Sequence, residues 1–87
     1  MWWERLGVAP VRPQDADDNW HSADLVLKSV TQLERAIKAG AGAGAVAWWV
    51  TPWENTAQVS QATLTVYFAK RTHAKNFQAR PPIAQKR

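Results

Sequence analysis

The sequence predicts a small α+β domain: one amphipathic helix packed on an antiparallel β-hairpin, with a short N-terminal aromatic segment and an extended basic C-terminal arm. Three observations carry this expectation. Val26, Val30, Leu33 and Ile37 recur at i, i+4, i+7 and i+11, which stacks them on one helical face. Ala45–Thr51 and Ala62–Lys70 are rich in β-branched and aromatic residues, and Pro52-Trp53-Glu54-Asn55-Thr56 supplies turn chemistry between them. From Asn55 to the end there is no acid, only Lys70, Arg71, Lys75, Arg80, Lys86 and Arg87.

Taken in order, Trp2 and Leu6 are four apart and share one face of a single helical turn that Gly7 can stop. Pro10 and Pro13 make residues 9–14 an extended connector. Ser22 is the expected N-cap of the helix, with Asp24 in a first turn where the dipole favours a carboxylate. Glu34 and Lys38 form a well-oriented i, i+4 pair and Gly40 ends the helix, which therefore spans about 23–39, with an earlier start at Pro13 left open. The alternating Gly40-Ala41-Gly42-Ala43-Gly44 reads as a helix-to-strand connector. The second strand is expected to begin at Ala62 or earlier, near Gln58. Pro81 and Pro82 hold the chain extended, and residues 72–87 read as a basic arm beside a domain spanning residues 1–71.

A chain of 87 residues buries a modest core, and with no cysteine it has no disulfide or thiolate–metal staple. Six tryptophans offer large apolar area for that core or for an interface. The absence of cysteine fits a reducing compartment. No signal peptide is visible, because Glu4 interrupts the N-terminal region, and no transmembrane segment is expected. The charge-free stretch Ala39–Trp53 is only 15 residues and is diluted by three glycines and Pro52, against about 20 needed to span a bilayer. The expected location is soluble, in the cytoplasm or within a particle.

Strand alternation predicts an interaction surface. Leu64, Val66 and Phe68 fall on one face of the second strand, and Thr63, Thr65 and Tyr67 on the other. In the first strand Val46, Trp48 and Val50 oppose Ala45, Ala47 and Trp49, so both faces are apolar. One helix covers one face. The other calls for the Trp2/Trp3/Leu6 segment, a second copy of the chain or a different protein, and an exposed hairpin without charged gatekeepers would aggregate. The expected interface residues are Trp2, Trp3, Trp48, Trp49, Trp53 and Tyr67.

Charge is divided along the chain. Residues 1–54 carry seven carboxylates against five Lys/Arg, a balance of −2, and the remainder carries +6, for a net +4. The basic arm suits an acidic protein groove or nucleic acid, with Tyr67, Phe68 or Phe77 available to stack on a base. Catalytic signals are weak. His21, Ser22 and Asp24 are too close in sequence to form a triad, since the base must bond nucleophile and acid together. On an early-starting helix Asp17, His21 and Asp24 would share a face, but a solvated acidic first turn accounts for them equally, and neither metal nor cofactor is expected. Gly40, Gly42 and Gly44 lack the lysine of a phosphate loop.

These features predict a non-enzymatic structural or accessory subunit that docks into a larger protein assembly, such as a virion or multi-subunit particle, through the Trp-rich hairpin and basic arm. The alternative is a nucleic-acid-binding accessory protein using the same arm. A third reading, a small inhibitor of a host enzyme with Asp15, Asp17, Asp18, Asn19 and Asp24 as phosphate mimics, is opposed by the net positive charge.

Overall fold

The computed structural model describes residues 2–55 and 60–83. It is a small α+β fold in which a mixed five-stranded sheet carries two helices on one face. Strand β1 is Ala9–Pro10, β2 His21–Leu27, β3 Ala45–Val50, β4 Glu54–Asn55 and β5 Ser60–Phe68; helix α1 is Val30–Gly42 and α2 Arg71–Ala79. The N-terminal aromatic turn, Trp2–Leu6, is a 3-10 helix, and a second 3-10 turn covers Pro13–Asp15.

β5 is central. β2 and β3 flank it and both run antiparallel to it, so they are parallel to each other and α1 is the crossover between them. β1 adds in parallel to the outer edge of β3, and β4 pairs with the start of β5. The chain is therefore more than a helix on a hairpin, because the central strand is shared by two long neighbours.

The helix expected over 23–39 is corrected at its start. Residues 21–27 are a strand, and Ser29, not Ser22, caps the helix by accepting a hydrogen bond from the Gln32 N–H at 3.2 Å. The Gln32 side chain returns one from the Lys28 N–H at 2.6 Å, a reciprocal arrangement close to a capping box. The reason lies in a competing period. Ala23, Leu25 and Leu27 alternate with Ser22, Asp24 and Val26, and that period of two is satisfied by seven residue pairs with β5. The helical stripe Leu33–Ile37 survives, but Val30 is 69% exposed and Val26 40% exposed.

The helix also runs past its expected end. Gly40 lies inside α1, buried, where a Cβ would come within 3.1 Å of Val66 Cγ1 and 3.7 Å of Phe77 Cε1. A missing side chain thus lets α1 approach β5 and α2 closely.

The extended arm is the largest correction. Thr72–Ala79 belong to α2, and Ala74 and Phe77, three apart, put a short apolar stripe on the sheet. The Phe77 ring lies 5.3 Å from that of Phe68. Arg80, just before Pro81, closes the helix, as expected of a residue whose successor disfavours helical backbone. Beyond it Ile83 returns to the core. Together α2 lies mainly over β2 and β5 and α1 mainly over β3. Their shared core is Leu25, Leu27, Ile37, Leu64, Val66, Phe68 and their neighbours. No helix among the described residues is long and apolar enough to cross a membrane.

Candidate interaction face

Every strand of the sheet has a helix side and an open side. Ala23, Leu25 and Leu27 on β2, Leu64, Val66 and Phe68 on β5 and Trp48 and Val50 on β3 point to the helices. The opposite face is built in cross-strand rows. Ala47, Tyr67 and Ser22 form one, Trp49, Thr65 and Asp24 the next, then Thr51, Thr63 and Val26. The last row is Glu54 and Gln61, with Lys28 continuing the alternation of β2.

Hydrogen bonds order these rows. Thr65 Oγ1 donates to Asp24 Oδ1 at 2.8 Å, and Lys28 Nζ donates to Gln61 Oε1 at 3.0 Å. Thr51 continues the β3 ladder one step, donating its N–H to Thr63 O at 3.0 Å and accepting from the Thr63 N–H through Oγ1 at 2.9 Å. A register shift between Ala45 and Ala47 turns Ala45 to the helix side, opposite Phe68, which corrects its expected place beside Trp49.

The expected interface residues separate. Trp48 is 8% exposed and belongs to the core, where Trp3 meets it edge-on at 5.7 Å. Its indole N–H is buried without an acceptor among the described residues, a cost that the ring's packing must offset. The N-terminal turn therefore does fold back on the chain, through Trp3 and Leu6, but onto the helix side of the sheet. Trp2 lies in that turn, with its side chain outside the described residues. Trp53 is half-buried against the core and lines a shallow groove with Lys28, Ser29, Val30 and Ser60. Trp49 alone of the six tryptophans stands on a β-strand of the open face, partly exposed.

Tyr67 is 7% exposed and supports a tryptophan that strand reasoning passed over. Trp20, just before β2, stacks on it with ring centroids 5.7 Å apart and planes at 40°. The signal was its parity: Trp20 continues the series Ser22, Asp24, Val26, legible only once residues 21–27 are read as a strand.

Burial pushes the Tyr67 phenol above its ordinary value of 10.0, and the Asp24 carboxylate adds to the shift. A raised folded-state value favours the neutral phenol. Its stabilisation is complete below pH ~10 and is lost as pH rises through the folded value. Thermal stability of the wild type should therefore fall more steeply than that of Tyr67→Phe as pH rises above about 10. Parallel curves would remove the phenol from the effect.

The basic residues lie elsewhere. Lys70 precedes α2, Arg71 and Lys75 are i, i+4 on its surface and Arg80 follows it, all exposed. Lys86 and Arg87 lie outside the described residues. Phe77, expected to stack on a base, is 5% exposed and is spent on the core. His21 and Asp24 point to opposite faces of β2, which separates the residues of the conjectured metal group, and among the described residues no cluster of His, Asp or Glu could hold a metal ion. No family model, curated protein or solved structure matches the chain.

Proposed function

We propose that the protein is a non-enzymatic accessory subunit that docks into a larger protein assembly through the open face of its sheet, with Trp49 as the anchor and Trp20 on Tyr67 as its aromatic flank. The observation that carries this reading is the partly exposed Trp49 in a row with Thr65 and Asp24, on the side of the sheet that neither helix covers. The chemistry of the face favours protein over nucleic acid. Its ionised side chains among the described residues are Asp24, Glu54 and Lys28, a balance that repels phosphate. Its aromatic residues, Trp49 and Trp20 on Tyr67, are of the type enriched in protein interfaces.

The second reading, nucleic-acid contact, keeps Lys70, Arg71, Lys75 and Arg80. The first turn of α2 contains no acid, so the positive end of the helix dipole adds to the field of Lys70 and Arg71. With Phe77 in the core this reading has lost a stacking platform and retains phosphate contact alone.

A photo-crosslinking residue at position 49, compared with one at Arg35 on the outer surface of α1, tests the assignment. Protein adducts are expected from 49 and not from 35. Trp49→Ala should weaken the assembly by about 2 kcal/mol, roughly thirtyfold, with thermal stability retained. Unchanged assembly by a folded variant would exclude Trp49 as anchor. Association that collapses between low and moderate salt with a log–log slope of several units would transfer the function to the basic residues.

A further inference from the structure

We propose that the open face closes on a second copy of the same chain, forming an isologous dimer in which the row Trp49–Thr65–Asp24 lies over the partner's row Glu54–Gln61–Lys28. This rests on the open-face reading above and names its partner. Asp24 on β2 and Lys28 just beyond its end lie on the same side of the sheet, four residues and about 13 Å apart, too far to pair with each other. Each has a neutral hydrogen-bond partner, Thr65 and Gln61, and among the described residues neither takes part in a salt bridge. Between them runs the uncharged row of Thr51, Thr63 and Val26.

A two-fold axis lying in the interface, perpendicular to the strands at that middle row, keeps each strand over its own copy and reverses its direction. The row on one side of the axis is then laid on the row from the other side. Asp24 faces the partner's Lys28, an acceptor opposite a cation. Trp49, whose indole can only donate, faces the partner's Glu54, whose carboxylate can only accept. Thr65 faces the partner's Gln61, each able to do either. Stacked sheets lie about 10 Å apart, within the combined reach of a lysine and an aspartate. The complementarity is thus a property of one surface with itself, which a dissimilar partner would not require. A face about 20 Å long along the strands and three strands wide is smaller than a standard specific interface, so the dimer is expected to be weak, forming at about 100 µM or above.

Sedimentation of the full chain from about 1 µM to 1 mM decides the matter. The wild type should pass from monomer to dimer. Lys28→Asp and Asp24→Lys should each weaken dimerisation about tenfold or more, because each puts two like-charged pairs across the axis. Mixing the two variants should restore a heterodimer, since every clash becomes an opposite pair. Thr63→Arg, on the axis and independent of the Asp24–Thr65 bond, should abolish the dimer by opposing two guanidinium groups. A wild type that stays monomeric overturns the proposal, whereas adducts from position 49 to a different protein would leave the open-face reading standing. A dimer indifferent to these variants, or a mixture no tighter than its components, overturns it equally.

Discussion

Phe77→Ala is expected to lower folding stability by about 3–5 kcal/mol, the usual cost of removing a buried aromatic ring. A domain of this size holds only about 4–13 kcal/mol in all, so the variant should melt far earlier and populate unfolded chain at ordinary temperature. The ring closes the core from the C-terminal side. It is 5% exposed, lies 5.3 Å from Phe68 and neighbours Gly40 where α1 passes overhead. Truncation after Lys70 should be more severe, since it uncovers the helix side of β2 and β5 together. Denaturant unfolding followed by tryptophan fluorescence measures both. An arm that folded only on a partner would tolerate either change, and near-wild-type stability of the truncated chain would restore that view.

Gly44→Ala is expected to cost about 2–4 kcal/mol, combining left-handed backbone strain with overpacking. Gly44 links α1 to β3 with φ +99°, and an added Cβ would run into the His73 imidazole. The turn that returns the crossover helix to the sheet is thus built against the first turn of α2. Two parts of the cost can be separated. His73→Ala should relieve the steric part in the double variant and leave the backbone part, giving a coupling of about 1–3 kcal/mol in a double-mutant cycle. Strict additivity would mean that the imidazole does not oppose the new methyl group.

The open face shows where reading by residues alone succeeded and why it stopped. Alternation in β5 correctly set Leu64, Val66 and Phe68 against Thr63, Thr65 and Tyr67, because a strand's side-chain period follows from backbone geometry and needs no partner. The same rule placed Trp48 and Trp49 on opposite faces. It could not say which would be inside, since that depends on where the helices lie. Asp24, Lys28 and Trp20 were missed as members of the face. Residues 21–30 satisfy periods of 2 and 3.6 at once, and Val26 belongs to both patterns.

The sequence by itself determined the class of fold, the strand through Leu64 and Phe68, the helix through Leu33 and Ile37 and the division of charge. These rest on local periodicity, propensity and composition, which act within a few residues. Only the tertiary structure decided that residues 21–27 join β5 as a strand, that Thr72–Ala79 coil into a helix and that neither helix covers the other side of the sheet. In each case the deciding energy is burial against residues distant in the chain: Leu25 on Leu64, Phe77 on Phe68 and Gly40 on Val66. Local propensity is worth tenths of a kcal/mol per residue, whereas burying such a side chain is worth about 1.5–3 kcal/mol, so the long-range contact prevails wherever the two compete.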